Sequence, residues 1–416
     1  MDIKNPFSRN NIYHRVFILS LLVLFAVFFF LFVWEWEGDQ INIFFRQGED
    51  FMADFFNVAK YVSEKNPYLH ELNGPGEKAY LPISYVIMYL FSKLADYRGS
   101  TPMEAGFSTS GLISCVLFMF FTSTFLFLQI YELQTNNRKM KKFFITLCLF
   151  LSGIFIFTFE RGNLIILTVC CSTFFLAFYD SESKGLRELS YLALALAAGL
   201  KGYPALLGIL LLYEKRFVET ARLAVYGIAV AVLPFLFFEN GLANIGHFLN
   251  NLPINGEVYR YTKFARFGPA HLFAYNLTDM DSIKTVVHVG EAVTAVLSVL
   301  SVLIAPALKE AKWKVFGILT CVIIMFPTNS ALYCGLYFIP IIALFFNEKK
   351  HKPIDYAYLV CFIVFLCPLQ LVDVSPILPN LALFVVWMIL ITEGWIKSFV
   401  YVKGYIAGRK LDKAQG

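Results

Sequence analysis

Long apolar runs separated by polar segments make up most of the chain. Several runs approach the roughly twenty residues that an α-helix needs to cross a bilayer. The runs predicted to span are residues 16–33, 107–130, 143–159, 164–179, 223–238, 283–308, 315–326, 332–346, 356–372 and 381–400. The pattern predicts an all-α polytopic membrane protein with about 10–13 transmembrane or re-entrant helices.

Two further apolar runs have features that set them apart. Residues 81–95 are few for a full crossing and carry Pro82 at their start, while residues 191–213 are interrupted by Lys201-Gly202-Tyr203-Pro204. Proline and glycine interrupt a helix, and a broken helix at membrane depth is tolerated where it lines a cavity. We therefore expect residues 191–213 to enter and return as two half helices, and residues 81–95 to be re-entrant or tilted.

Basic clusters in the short loops predict the orientation, because lysine and arginine concentrate on the cytoplasmic side. These clusters are Arg138-Lys139, Lys141-Lys142, Lys215-Arg216 with Arg222, Lys309 with Lys312 and Lys314, and Lys349-Lys350 with Lys352. The amino terminus and these loops should be cytoplasmic. The two long loops, 35–80 and 239–281, should then be extracytoplasmic and carry interfacial helices. This divides the chain into a predicted catalytic module, 1–215, and a carboxyl-terminal membrane module, 216–416.

Composition narrows the possible classes of protein. The chain is 58% hydrophobic and 16% charged, whereas soluble domains are about 25% charged. A net charge of +5 spread over short clusters argues against nucleic acid as a partner. The cysteines show no CxxC spacing, and Walker, GxGxxG and GxSxG motifs are missing from the sequence. We predict neither a metal site nor a bound cofactor.

The first long loop contains a predicted amphipathic helix. Phe51, Phe55, Val58 and Val62 recur at helical spacing and would face the membrane surface. The adjoining polar stripe is formed by Asp50, Asp54, Asn57 and Tyr61. This places a carboxylate where a lipid tail and a polar acceptor meet. An ordinary loop helix with solvated acids is the alternative.

Two short motifs place cations at helix breaks. Arg161, within Glu160-Arg161-Gly162-Asn163, lies at the outer end of one predicted span, and either snorkels to the interface or binds a phosphate oxygen. Lys201 interrupts an apolar stretch with no acid nearby in sequence. A cation at a broken membrane helix is costly and usually functional.

The second long loop contains a basic stripe, Arg260, Lys263 and Arg266, interleaved with aromatic residues. Such a stripe suits a lipid phosphate or anchors the loop at anionic headgroups, and both interpretations remain open. His247 and His271 share the loop without metal-ligand spacing. We expect these histidines to form hydrogen bonds with substrate.

These features together resemble the GT-C superfamily of membrane glycosyltransferases, in particular family 87 proteins related to polyprenyl-phosphate-mannose-dependent α-mannosyltransferases. The resemblance covers the first 215 residues best. The segments that carry it are 53–61 (ADFFNVAKY), 66–68 (NPY), 79–83 (AYLPI), 160–163 (ERGN) and 198–204 (AGLKGYP). Residues 326–330 (FPTNS) followed by Tyr333 are similar to a family turn, without its histidine, and Tyr80-Leu81-Pro82 replaces a double proline.

The resemblance implies an inverting transfer of a sugar, mannose or another hexose, from a polyprenyl phosphate to a glycan or lipid acceptor outside the cytoplasm. Asp54 would be the general base. Arg161 and Lys201, with Arg260 or Lys263, would bind the donor phosphate. The remaining candidate substrate-binding residues are Asp50, Asn57, Tyr61, Tyr80, Asn163, Tyr203, His247, His271 and Tyr333.

Two other functions remain open at this point. A polysaccharide polymerase or ligase also uses undecaprenyl-linked substrates, and it would need arginines of the later loop but not Asp54. A flippase or transporter of lipid-linked oligosaccharides would favour inverted repeats, and the sequence shows no convincing one. A transporter would tolerate the loss of Asp54.

Overall fold

A computed structural model describes residues 9–34, 52–261, 266–369 and 377–414. The first nine helices are α1 Arg9–Trp34, α2 Ala53–Ser63, α3 Pro82–Ser92, α4 Pro102–Phe107, α5 Thr109–Leu133, α6 Lys139–Phe150, α7 Gly153–Arg161, α8 Ile165–Phe178 and α9 Lys184–Lys201. The next nine are α10 Ile209–Tyr213, α11 Phe217–Val232, α12 Asn244–Arg260, α13 Pro269–Ala274, α14 Met280–Ile304, α15 Lys312–Met325, α16 Ile339–Phe345, α17 Asp355–Leu366 and α18 Ile377–Ala414.

The described residues form an all-α fold with several membrane-spanning helices, which confirms the predicted fold class. Five helices are long and apolar enough to cross a membrane alone, and α6 with α7 adds a bent pair. Five shorter apolar helices lie among them. One of the long helices, α11, buries none of its side chains in the protein. Apolar side chains left exposed around such a helix suit contact with lipid.

The predicted span 143–159 is bent in the structure. Residues 143–159 were expected to form one helix, but α6 and α7 meet at an angle of 57°. Ser152 caps the second helix by accepting a hydrogen bond from the Phe155 N–H (3.3 Å). Gly153 lies against another segment, since a Cβ there would be 2.7 Å from the Cys367 carbonyl oxygen. The bend therefore comes from a cap and a close backbone approach inside an otherwise apolar run.

The basic loops lie together on one face of the molecule. Asn136 bonds Asn347 through its backbone N–H (2.6 Å), which joins the loops before α6 and after α16. Lys312 forms an ion pair with Asp180 (2.5 Å). The start of α1 belongs to the same face, because His14 bonds Asn137 (3.0 Å). We call this surface the basic face; it carries the amino-terminal helix and the lysine clusters, as their common orientation predicts.

Helix α3 begins and ends on the side opposite the basic face. At its start, Ser84 donates to the Leu200 carbonyl (3.1 Å), and just beyond its end Arg98 donates to the Ser63 carbonyl (2.8 Å). With 11 residues, α3 is also too short to span by itself. The run 81–95 therefore does not cross. This explains how α5 can return the chain to the basic face ahead of the Lys139 cluster.

The interrupted run 191–213 turns back as expected. Helix α9 ends at Lys201, a 3-10 helix covers Tyr203–Gly208, and α10 follows. The segment's two ends lie together, because Arg216 donates to the Tyr191 hydroxyl and to the Tyr179 carbonyl (2.9 Å). Lys201 thus lies at the turn between the two halves, away from the basic face.

The apolar face of α2 is buried in protein rather than laid on the membrane surface. Phe55, Val58 and Val62 are each at most 3% exposed. Phe55 packs against Phe91 of α3 and Phe118 of α5. The prediction that this face lies on the membrane surface was wrong. Helical periodicity identifies an apolar face but does not show what covers it. Phe51 lies outside the described residues.

A continuous hydrophobic core joins the two predicted modules. One cluster of buried residues runs from Tyr13 of α1 to Ile391 of α18. The two long loops also touch, because the Asn66 amide donates to Asn244 (2.7 Å). The division at residue 215 stays a prediction, and the cavity described below takes residues from both sides of it.

Candidate functional site

The start of α2 is fastened to the end of α7. The Met52 N–H donates to the Glu160 carbonyl (2.9 Å), and Gly162 ends α7 in the left-handed region (φ 62°). A Cβ at Gly162 would lie 2.9 Å from the Phe55 Cβ, so the two backbones approach too closely for a larger residue. This junction brings residues on either side of Gly162 to the first turn of α2.

Asp54 is bound through both of its carboxylate oxygens. Arg161 donates from Nη2 to Oδ1 (2.7 Å), and Asn163 donates from Nδ2 to Oδ2 (2.5 Å). The Asp54 and Arg161 side chains remain 21% and 18% exposed, so the pair is accessible from a cavity. Burial favours a raised pKa at Asp54, but the Arg161 charge and the hydrogen bonds from Arg161 and Asn163 outweigh it and lower the pKa. The carboxylate is ionised at neutral pH.

Lys201 brings a second cation to the same cavity. Its Nζ donates to the Tyr80 hydroxyl (3.1 Å) and lies 4.6 Å from the centre of that ring. The Tyr333 ring centre is 5.3 Å away on another side. Aromatic faces stabilise a cation without neutralising it. Lys201 therefore keeps donors that an anion can use.

Arg266 brings a third cation, from the segment between α12 and α13. Its Nη1 donates to the Thr328 carbonyl (2.6 Å), and its guanidinium lies over the Tyr259 ring at 5.2 Å. The Asn380 amide fixes the Arg266 backbone by donating to its carbonyl (3.0 Å). Burial lowers the pKa of Arg266 to about 10, which leaves the group charged at neutral pH.

These groups line one cavity of about 600 Å³ on the side of the molecule opposite the basic face. Its predicted members are Asp54, Tyr80, Arg161, Lys201, Tyr203 and Tyr333, and Arg266 joins them. Asn163 contributes through its bond to Asp54. A carboxylate beside several cations and aromatic rings can accept a proton while an anionic group is held nearby.

Comparison with known families identifies the class of protein to which this chain belongs. The family model of glycosyltransferase family 87 matches residues 80–330, more than half of the chain. The chain belongs to glycosyltransferase family 87. The searches of curated proteins and of solved structures found no match.

The family 87 match includes most of the cavity but not all of it. Tyr80, Arg161, Lys201 and Arg266 lie inside the matched range, whereas Asp54 precedes it. Membership establishes a membrane glycosyltransferase, as the sequence resemblance predicts. The link from this family core to Asp54 is made by the contacts from Arg161 and Asn163.

Several predicted site residues of this family 87 chain lie away from the cavity. Arg260 is paired with Glu291 and contacts His288 (3.1 Å), so Arg266 replaces it as the lining cation of the basic stripe. The reason is geometric, since α12 ends at Arg260 and Arg266 lies outside that helix. Lys263 and Asp50 lie outside the described residues.

The remaining predicted side chains do not line the cavity. His247 is half-buried on α12, and Asn57 is half-buried on α2. Tyr61 is buried, and its hydroxyl accepts a hydrogen bond from Asn73 (3.0 Å). Burial and then the Arg266 charge lower the pKa of His271 to about 4, so this histidine is neutral at physiological pH.

The cavity also contains polar residues that the sequence did not single out. Glu77, Asn255 and Asn329 line it together with Tyr259. Glu77 is one of nine acids in the first loop, and its type alone gave no reason to choose it. Among the described residues, no group of three or more His, Cys, Asp and Glu could hold a metal ion. A metal-free site remains a prediction.

Proposed function

We propose that this family 87 enzyme transfers a hexose, such as mannose, from a polyprenyl phosphate to a glycan or glycolipid acceptor. The observation that carries the proposal is one cavity containing an ionised carboxylate, Asp54, and the cations Arg161, Lys201 and Arg266. An attacking hydroxyl needs a base to take its proton, and a departing phosphate needs positive charge to stabilise it. The cavity supplies both at one place.

Asp54 acts as the general base in the proposed reaction. Each carboxylate oxygen has two lone pairs, and the bonds from Arg161 and Asn163 use one on each oxygen. A second lone pair accepts the proton of the acceptor hydroxyl as its oxygen attacks the anomeric carbon. The bond from that carbon to the phosphate oxygen breaks, and polyprenyl phosphate leaves with the electron pair. Direct displacement inverts the anomeric configuration.

Lys201 and Arg266 bind the departing phosphate, and Arg161 holds the base while adding positive charge. Lys201 is fixed by Tyr80 and Tyr333, and Arg266 by Thr328, so neither cation needs to reorganise when negative charge grows on the phosphate. Preorganised charge of this kind is usually a large part of catalysis.

The cavity faces the extracytoplasmic side in this proposal. It lies opposite the basic face, whose lysine clusters indicate the cytoplasmic side of a cell membrane. Lipid-linked donors present their sugar phosphate at the membrane surface. Nucleotide sugars in the cytoplasm would therefore not reach the cavity.

The donor class is tested with purified full-length protein in nanodiscs and a panel of radiolabelled donors. We expect transfer from a polyprenyl phosphate hexose and none from a nucleotide sugar. With a β-linked donor, the product should carry an α-linkage. The one-bond coupling between the anomeric carbon and its proton, measured by NMR, identifies the linkage. Transfer from polyprenyl diphosphate oligosaccharides alone would instead support a polymerase or ligase. No transfer from any donor, with movement of lipid-linked oligosaccharide across the bilayer, would support a flippase.

A further inference from the structure

We propose that Glu77 is a specificity-determining residue that binds hydroxyl groups of a hexose in the cavity. The inference rests on the proposed function and adds which part of the substrate the cavity wall around Glu77 recognises. The juxtaposition that carries it is a carboxylate, a phenol and two amides from three separate segments: Glu77, Tyr259, Asn255 and Asn329.

The backbone around Glu77 is held rigidly against α12. Glu77 ends the 3-10 turn Pro75–Glu77, and the Asn255 amide donates to the Gly76 carbonyl (2.8 Å). Lys78 is fully buried, and its Nζ donates to the Gly74 carbonyl (2.5 Å). The Asn251 amide donates to the Lys78 carbonyl (3.2 Å). Residues on both sides of Glu77 are therefore fixed, so its side chain projects from a built wall rather than a free loop.

Glu77 retains hydrogen-bonding capacity toward the cavity. The Tyr259 hydroxyl donates to Oε1, and among the described residues nothing donates to Oε2 or forms an ion pair with Glu77. Asp54, by contrast, has a donor on each oxygen. Glu160 also lines the cavity but is only 5% exposed. Glu77 is therefore the lining carboxylate best placed to accept new hydrogen bonds from a ligand.

The chemistry of the wall matches sugar hydroxyls. A carboxylate accepts strong hydrogen bonds from hydroxyl groups and repels a phosphate. Glu77 would thus direct the phosphate toward the cations while accepting from the sugar. The Asn329 amide bonds the Asn255 side-chain oxygen (3.1 Å), which links the two amides into a small network beside it. Aromatic rings on the neighbouring walls can cover the apolar faces of a sugar ring.

The test measures binding by calorimetry to full-length protein in nanodiscs, in the absence of the second substrate. The probes are farnesyl phosphate, farnesyl phosphate hexoses, their single-deoxy analogues, and octyl hexosides as acceptor-like ligands. Glu77→Gln keeps the shape of the side chain and removes its charge. Glu71→Gln, at an exposed acid of the same loop, is the matched control.

We expect Glu77→Gln to weaken the affinity for a hexose-bearing probe about 10- to 100-fold, as loss of a charged hydrogen bond predicts. The affinity for farnesyl phosphate should not fall, because the variant removes only a charge that repels the phosphate. A loss confined to the farnesyl phosphate hexose assigns the wall to the transferred sugar. A loss confined to the octyl hexoside assigns it to the acceptor sugar. A deoxy analogue that lacks the bound hydroxyl should bind wild type and variant equally well.

Equal affinities of wild type and Glu77→Gln for every hexose-bearing probe would overturn the inference while leaving the proposed function intact. So would an equal loss for farnesyl phosphate, which carries no sugar. Wild type that binds no farnesyl phosphate compound would contradict the proposed function itself. Tyr259→Phe is a second variant, because it keeps the Glu77 charge but removes the hydrogen bond that positions the Glu77 side chain. We expect a smaller loss of affinity for the same probe.

Discussion

Asp54 lies between a guanidinium and an amide, and this setting decides when it can act as a base. Its ordinary pKa is 3.8, and the Arg161 charge with two hydrogen bonds lowers that value despite burial. The carboxylate is therefore ionised throughout the working pH range. A base with a low pKa is weak, so in the proposed reaction positioning and the cations around the phosphate would contribute much of the acceleration.

Replacing Arg161 by Gln should move the acid limb of the pH profile. Burial raises the pKa of Asp54, and the Arg161 guanidinium opposes that rise. Without the guanidinium the pKa rises, so Asp54 becomes protonated at higher pH. We expect the acid limb of kcat/KM to move upward in pH compared with wild type. The control is Arg187→Gln, on the basic face, which should keep the wild-type profile. An unchanged acid limb in Arg161→Gln would show that Asp54 does not set it.

Replacing Lys201 by Met should mainly weaken use of the donor. The variant keeps a long apolar side chain and loses the charge that lies between Tyr80 and Tyr333. We expect kcat/KM for the donor to fall about 10- to 100-fold, the effect of a charged hydrogen bond, with KM for the acceptor unchanged. Initial-rate kinetics with each substrate varied in turn measure both constants. A change in KM for the acceptor alone would contradict the proposal that Lys201 binds the donor phosphate.

Sequence motifs predicted part of this residue-level arrangement. Arg161, Asn163 and Lys201 stood out because charge or amide groups interrupt apolar helices, and such positions are costly unless they are used. The sequence could not show that Arg266 rather than Arg260 lines the cavity. Equal spacing would place both on one face of a single helix, whereas α12 ends at Arg260. Glu77 resembled its neighbouring acids until the fold placed it on a wall of the cavity.

At the scale of elements, the turn between α7 and α8 aligns Asp54 with Arg161 and Asn163. Gly162→Ala should strain this turn, because alanine disfavours φ 62° and its Cβ would meet Phe55 at 2.9 Å. We expect a loss of about 1–2 kcal/mol in stability and a larger loss of activity. A thermal unfolding scan and the transfer assay measure both. Gly227→Ala, on helix α11 with open space around it, should be neutral, and equal effects at both sites would contradict the role of the turn.

Element boundaries were predictable where glycine, proline or charge interrupts an apolar run. The break after Lys201 and the short helix beginning at Pro82 follow from such residues. The bend between α6 and α7 did not, because the Ser152 cap acts together with a close approach of Gly153 to Cys367, a residue remote in sequence. The burial of Phe55 has a similar origin, since only the tertiary fold brings Phe91 and Phe118 against it.

At the scale of the whole molecule, the basic face and the cavity occupy opposite sides. Single cysteines in a background without native cysteines test this orientation. Glu71→Cys, in the first loop, should react with an impermeant maleimide on intact cells, and Lys350→Cys should react only after permeabilisation. Both positions are exposed, so exposure does not distinguish them. The reverse pattern would place the cavity in the cytoplasm and exclude a donor presented outside.

Residues from both halves of the chain complete the cavity. Asp54 and Lys201 come from the first half, and Arg266 and Tyr333 from the second. Local patterns predicted the helices that carry Asp54 and Lys201. The association of the two halves depends instead on a core that runs from α1 to α18. Local sequence carries little information about such long-range packing.

The most direct test of the account compares wild type with Asp54→Asn in the nanodisc transfer assay, with donor binding measured on the same samples. Asparagine keeps the size of the side chain and cannot take the acceptor proton. The account predicts that Asp54→Asn remains folded, binds farnesyl phosphate hexose, and loses about 10²- to 10⁴-fold in kcat. Transfer at the wild-type rate by a folded Asp54→Asn variant would contradict it.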